Sequence, residues 1–137
     1  MTTTPLRAIG VALFSFVLAI FATGSPAAGT ELVDGIDVDV SDGDLTIRGT
    51  AGPDAVVVEG QGDGTFVING VLLDEVVTGS IIVSLSSGDD SFYLLGSPFD
   101  QPLQPLENLE VNGGSGRSDV AVVGFAVSGT VRVRTGA

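Results

Sequence analysis

Aspartates at equivalent places of a recurring segment are the residues of this chain whose type and spacing could do chemistry. The segment occurs at residues 45–60, 81–96 and 109–124, and each copy has a glycine-bearing corner between two short apolar runs. Carboxylate oxygens are the ligands that calcium prefers in proteins. The corner aspartates predicted as metal ligands are Asp54, Asp89, Asp90 and Asp119.

The copies align without a gap, so equivalent residues are expected to lie side by side in the fold. The aligned sets are Leu45, Ile81 and Leu109; Gly52, Gly88 and Gly116; and Val56, Phe92 and Val120. Neighbouring strands lie about 4.8 Å apart, so Asp54, Asp90 and Asp119 are expected near one line, with Asp89 beside it. Two carboxylates about 5 Å apart repel by about 3 kcal/mol at an effective dielectric constant of about 20. Solvent, backbone amides at the turn or a shared cation would relieve that repulsion. We favour capping of the backbone by the aspartates, with calcium binding as the alternative.

The corners resemble degenerate copies of the nonapeptide G-G-x-G-x-D-x-U-x of the RTX, or hemolysin-type, calcium-binding repeat family, in which U is apolar. In the first copy Gly49, Gly52 and Asp54 occupy glycine and aspartate positions of that pattern. In the third copy Ser118 stands where the aspartate is expected, and Asp119 follows one place later. The resemblance implies calcium as a cofactor, although each nonapeptide here stands alone instead of following another in tandem.

The pattern of the remaining chain predicts an all-β fold. No apolar period of about 3.6 residues persists beyond a turn or two, and polar corners recur about every ten residues. Each repeat has room for three short strands, which predicts a short three-sided parallel β-helix, or β-solenoid, of about three rungs. Residues 130–134 would then be the third side of the third repeat. The alternative is an antiparallel β-sandwich, which the turn signals Asp42-Gly43 and Asp63-Gly64 support.

The order of residue types along the chain predicts three parts. Residues 1–27 contain a cation, an uninterrupted apolar run and then small residues, which is typical of a cleaved secretory signal peptide. The apolar run is shorter than the roughly 20 residues of a transmembrane helix. Residues 28–44 are predicted as a leader with an N-terminal capping strand, and residues 45–137 as the repeat domain. The predicted localisation is secreted or cell surface, without membrane contact after cleavage.

Composition narrows the partners and the chemistry. The chain has 17 acidic and 5 basic residues and a net charge of −12, so the cationic surface that nucleic-acid binding requires is missing. A divalent cation is the partner that such a charge suits. Histidine and cysteine are absent, which removes the common nucleophiles, bases and soft metal ligands as well as disulfides. Paired carboxylates such as Asp89 and Asp90 leave polysaccharide hydrolysis as a remote alternative, but neighbouring residues of a strand point to opposite faces.

These observations predict a non-enzymatic, secreted or cell-surface β-module with a structural or adhesive role. A calcium-stabilised, RTX-like binding domain is the alternative. Weak homo-association is also predicted, because Arg132 and Arg134 alternate with Val131 and Val133 close to the end of the sequence. An edge strand there would present unpaired backbone groups and attract the acidic surface of a second copy.

Overall fold

The computed structural model describes residues 31–97 and 105–136. This part of the chain is all-β and contains no helix, as predicted. The predicted signal peptide, residues 1–27, lies outside the described residues. The strands are β1 (Glu31–Val33), β2 (Ile36–Ser41), β3 (Asp44–Arg48), β4 (Ala55–Gly60), β5 (Phe66–Ile68), β6 (Val71–Leu72), β7 (Ile81–Ser84), β8 (Asp90–Leu95), β9 (Leu109–Asn112), β10 (Ser118–Val123) and β11 (Val131–Arg134).

Two mixed sheets hold these strands. Sheet A has the order β1-β2-β3-β7-β9-β11, and sheet B has the order β10-β8-β4-β5-β6. The buried apolar side chains of both sheets form one core cluster. The prediction of a three-sided parallel β-helix is therefore wrong. Two sheets around one core fit the sandwich alternative, except that the central strands pair parallel and not antiparallel.

The strands predicted to form a third side go elsewhere. After β4 the chain reverses at Gly62 and Gly64, which both have positive φ (90° and 92°), and β5 pairs antiparallel with β4. Glycine adopts such a conformation at no steric cost, so this turn is a hairpin and not a solenoid corner. In the third repeat, β11 returns to sheet A and pairs parallel with β9, with Val131 opposite Leu109. Residues 130–134 thus extend the first side and do not build a third.

The side-by-side pairing of equivalent residues is confirmed for the first two strands of each copy. In sheet A, Leu45 pairs with Ile81 and Ile81 with Leu109. In sheet B, Val56 pairs with Phe92, and Phe92 in turn with Val120. Their side chains alternate with outward-facing residues, as expected of strands with one buried face. The repeat thereby fixes which residues of each strand enter the core.

The N-terminal strands fold back on the first repeat. β2 pairs antiparallel with β3 through the turn at Asp42 and Gly43, whose φ angles are 53° and 86°. Two positive φ angles define the hairpin turn that a D-G pair favours. β1 adds to β2 in the same antiparallel manner and is the edge of sheet A. The hairpin predicted from Asp42-Gly43 is therefore present.

Candidate functional site

Stacked glycines set the geometry of the acidic corner. Gly88 and Gly116 have φ angles of 144° and 115°. A β-carbon built at Gly88 would lie 2.7 Å from the carbonyl oxygen of Gly52, and one built at Gly116 would meet the carbonyl oxygen of Gly88. The backbones of successive corners thus approach each other where no side chain fits. This close approach brings the residues two places further on next to one another.

Asp54 closes the first corner on itself. Its Oδ2 accepts a hydrogen bond from the Thr50 backbone N–H at 2.7 Å, and its Oδ1 accepts one from the Thr50 hydroxyl at 2.9 Å. The residue is 8% exposed. Aspartates at turns commonly accept nearby backbone amides in this way. Both oxygens of Asp54 are therefore engaged in holding the loop before β4.

Asp90 connects the second corner to the first. Its Oδ1 accepts a hydrogen bond from the Asp54 backbone N–H at 2.9 Å, and the residue is 3% exposed. Its other oxygen, Oδ2, is buried and has no hydrogen-bond partner within the described residues. An unsatisfied buried acceptor of this kind costs about 1–3 kcal/mol. Among the carboxylate oxygens of Asp54 and Asp90, Asp90 Oδ2 is thus the one that could accept a further ligand.

The third corner uses a different residue in the same column. Ser118 pairs with Asp90, and its hydroxyl donates to the Gly113 carbonyl oxygen at 3.0 Å. Asp119 instead pairs with Ser91 and lies within 3.6 Å of the Arg117 guanidinium, with its side chain 62% exposed. The expected line of Asp54, Asp90 and Asp119 is therefore wrong at its last member, because one step along a strand moves a side chain to the opposite face.

The four predicted metal ligands do not all converge. Asp54 and Asp90 are adjacent and buried, whereas Asp89 is exposed and its Oδ1 accepts a hydrogen bond from the Arg117 backbone N–H at 3.4 Å. Calcium takes about six to eight oxygen ligands. Among residues 31–97 and 105–136, no group of three or more acidic, histidine or cysteine side chains is placed to hold a metal ion. The structure thus brings together two of the four predicted ligands, Asp54 and Asp90.

A second polar column lies in sheet A, immediately before the aligned residues Leu45, Ile81 and Leu109. Asp44 Oδ1 accepts a hydrogen bond from the Ser80 backbone N–H at 2.6 Å, and Asn108 Oδ1 accepts one from the Thr130 N–H at 2.9 Å. The Asn108 amide also donates to the Ser80 hydroxyl at 3.2 Å. This column was not predicted from the sequence, although a polar residue stands immediately before each aligned apolar residue.

The core is open at the end formed by β10 and β11. We call this surface, with Val120, Val122, Val131 and Val133, the open end. Val122, Val131 and Val133 are 39%, 57% and 44% exposed, whereas their partners on the preceding strands are fully buried. A groove of about 450 Å³ runs beside β10, with Val120, Val122 and Val133 in its wall. These valines occupy core positions that nothing in the described chain covers.

Asp63 offers an exposed counterpart of the Asp54 arrangement. Its Oδ1 accepts hydrogen bonds from the Thr65 hydroxyl at 2.6 Å and the Thr65 backbone N–H at 2.9 Å. The hydrogen bond from the Thr65 hydroxyl, and to a smaller extent that from the Thr65 N–H, lowers the pKa of Asp63 below its ordinary value of 3.8. Because the folded pKa is the lower one, any contribution to stability is present above the unfolded pKa and is lost as the pH falls through the folded pKa.

Replacement of Asp54 by alanine is expected to lower the free energy of unfolding by about 1–3 kcal/mol, because the Thr50 amide and hydroxyl both lose their acceptor in a partly buried corner. Asp63→Ala is the matched control, since it removes the same two kinds of hydrogen bond in water. That control is expected to cost much less than Asp54→Ala, because its hydrogen bonds are exchanged for bonds to water. Urea unfolding of both variants measures the difference, and equal costs would contradict a structural role of Asp54.

Comparison with known proteins adds no relative. No family model matches the sequence, and no curated protein or solved structure matches it either. The structure contains, in the residues it describes, no helix long and apolar enough to cross a membrane. The acidic corner and the open end are therefore the features of the molecule that bear on its function.

Proposed function

We propose that this chain is a secreted or cell-surface module with a structural or adhesive role and no catalytic activity. One observation carries the proposal: the carboxylates of the repeated corner hold the backbone of the fold together. Asp54 closes its own loop and Asp90 binds the Asp54 amide, across a sequence separation of 36 residues. Side chains used in this way stabilise a scaffold and are not available as acids, bases or nucleophiles.

The polar column of sheet A supports the same role. The bond from the Ser80 amide to Asp44 also spans 36 residues, and the bond from the Thr130 amide to Asn108 spans 22. Each bond links two neighbouring strands of sheet A, β3 with β7 or β9 with β11. The polar side chains on both sides of the sandwich thus act as links between successive strands, which is the organisation expected of a structural module.

Export is supported by the sequence and not by the fold. Residues 1–27 have the residue order of a signal peptide. A net charge of −12 suits an extracellular protein, since a charge far from zero keeps proteins soluble. A scaffold without cysteine also folds without oxidation.

A calcium-stabilised binding domain is the second candidate, and the buried Asp90 Oδ2 is the observation that favours it. A carboxylate oxygen without a partner is a suitable ligand for a hard cation, and the corner resembles the RTX nonapeptide. Against it, the other three oxygens of Asp54 and Asp90 already accept hydrogen bonds. A calcium ion at this corner would have to draw on further oxygens from backbone and solvent.

Thermal unfolding with and without calcium separates the two candidates. For the structural module, circular dichroism melts in chelator and in millimolar calcium are expected to coincide. For the calcium-stabilised domain, calcium at about 100 times its dissociation constant would add about 2.7 kcal/mol of stability. In a domain of this size that gain corresponds to a rise in Tm of roughly 10–20 °C.

Asp90→Asn is the control for the position of the ion. It keeps the size of the side chain and removes its charge, so a rise in Tm that persists in this variant would come from calcium bound elsewhere. A rise that Asp90→Asn abolishes would replace the structural proposal by the calcium-binding one. Recovery of the protein only from the cytoplasm would contradict the proposed export.

A further inference from the structure

The exposed large apolar side chains concentrate at the two ends of the sandwich. Among the described residues, Leu32 and Leu72 lie on the edge strands β1 and β6, those at the open end are Val122, Val123, Val131 and Val133, and those elsewhere are Val76, beside the turn between β4 and β5, Ile82 and Tyr93. Ile82 and Tyr93 are only 38% and 39% exposed, whereas Leu32 reaches 70% and Val123 reaches 60%. Apolar surface gathered at defined places marks interaction sites.

The open end has the register of a sheet that lacks its next strand. Val131 and Val133 pair with Leu109 and Val111, which are completely buried because β11 covers them. β11 is itself the last strand of sheet A, and β10 is the last strand of sheet B. Edge strands present unpaired N–H and C=O groups that add further strands readily. Within residues 31–97 and 105–136, this end therefore has neither apolar cover nor backbone partners.

The opposite end offers a strand of the correct direction. β1 is antiparallel to β2, and β2 is antiparallel to β3, whereas β3, β7, β9 and β11 follow one another in parallel. β1 consequently runs in the same direction as β11. If β1 of a second copy lay beside β11, sheet A would continue from one copy into the next. Leu32, which lies on the outer face of β1 opposite Asp37, would then lie beside the arginines of β11.

Charge also distinguishes the two ends. The turns and the outer face of β2 carry Asp34, Asp37, Asp39 and Asp42. Three of the four arginines within the described ranges, Arg117, Arg132 and Arg134, lie at the open end. Arg132 lies 3.6 Å from Glu110, and Arg134 makes no ion pair within the described chain. Contact between unlike ends brings opposite charges together, whereas contact between two open ends would oppose the same arginines.

We propose that the open end binds the β1 end of a second copy of this chain, so that copies associate head to tail. β11 of one copy pairs with β1 of the next, Val131 and Val133 gain apolar cover, and Arg132 and Arg134 face the aspartates around β2. Such a contact joins two different surfaces, so each dimer still has a free end of each kind and addition of copies continues unless the rotation closes a ring. The inference goes beyond the proposed function and does not depend on calcium.

Two blocked variants test this arrangement. Leu32→Arg places a cation on the outer face of the β1 end, beside Arg132 and Arg134 in the proposed contact, and the double variant Val131→Asp with Val133→Asp places charges on the open end. Sedimentation velocity of the natural chain at low salt is expected to show an average mass that rises with concentration and falls on addition of salt. Each variant alone is expected to associate at least about tenfold more weakly, because the first opposes like charges and the second buries charge in an apolar contact.

Mixing gives the decisive result. A one-to-one mixture of the two blocked variants retains one natural β1 end and one natural open end, and is expected to form a heterodimer that neither variant forms alone. Its formation also proves that both variants are folded. Val57→Asp, with a charge on the outer face of β4 in the middle of sheet B, is the matched control and is expected to associate as the natural chain does.

Three outcomes would overturn the proposal. A natural chain that stays monomeric at high concentration and low salt has no such contact. Undiminished association of Leu32→Arg alone would mean that open ends bind each other. Blocked variants that keep a natural melting temperature but form no heterodimer when mixed would exclude pairing of β1 with β11. Arg132→Glu with Arg134→Glu supplies an independent check, since reversal of these charges is expected to abolish association at low salt.

Discussion

Replacement of Phe92 by alanine is expected to lower the free energy of unfolding by about 3–5 kcal/mol. Phe92 is completely buried on β8, the strand of sheet B that lies between β10 and β4. It pairs with Val56 on one side and Val120 on the other, so its removal leaves a cavity at the centre of the sheet. Urea unfolding followed by circular dichroism measures the loss.

Tyr93 is the matched control for this substitution. It is the next residue of β8, it is also aromatic, and it is 39% exposed on the outer face. Tyr93→Ala is expected to cost less than about 1 kcal/mol, because its ring lies on the outer face and its removal leaves no cavity in the core. Similar costs at Phe92 and Tyr93 would mean that the strand does not have the two-faced register seen here.

The stacking of the repeats could be predicted from sequence because apolar alternation and glycine spacing act locally. Leu45, Ile81 and Leu109 fall in one row since each begins an alternating run after a polar corner. A shift by one residue would expose every core side chain of a strand. The register is thus fixed by burial, which is visible in the order of residues. The hairpin at Asp42 and Gly43 was predictable for the same local reason.

Whether the repeats form two sheets or three could not be predicted from the sequence, because this depends on the direction that the chain takes after each turn. Residues 64–68 and 129–133 have similar sequences, yet β5 pairs antiparallel with β4 and β11 pairs parallel with β9. Both runs have apolar residues two positions apart, so both are compatible with antiparallel and with parallel pairing. The positive φ angles at Gly62 and Gly64 decide the first case. The Asp63-Gly64 pair in this turn favours a hairpin, whereas the repeat favours a third side.

The candidate site was predicted in part. Asp54 and Asp90 were expected at the corner, and their capping of backbone amides was the favoured role. Asp119 was placed in the same column, although alignment puts Ser118 there and a single step reverses the face. The open end was anticipated only through Arg132 and Arg134. Its exposed valines follow from β11 joining sheet A, a topological fact that the sequence does not display.

Substitution of Gly88 by alanine is expected to lower the free energy of unfolding by roughly 2–6 kcal/mol, as the sum of backbone strain and overpacking. Its φ of 144° is disfavoured for any residue with a β-carbon. That carbon would lie 2.7 Å from the Gly52 carbonyl carbon and oxygen and 2.8 Å from the Pro53 nitrogen. Backbone atoms cannot move aside as a side chain can, so the two corners must separate.

Gly70→Ala separates steric contact from backbone strain. Gly70 also has a positive φ, 83°, but a β-carbon built there meets nothing within 4 Å. This variant is therefore expected to cost only about 1–2 kcal/mol from its conformation. Separation of the corners in Gly88→Ala would also break the bond from the Asp54 amide to Asp90, so faster amide exchange at Asp54 is expected in that variant alone. Equal stability losses with unchanged exchange at Asp54 would show that the corners are not packed backbone against backbone.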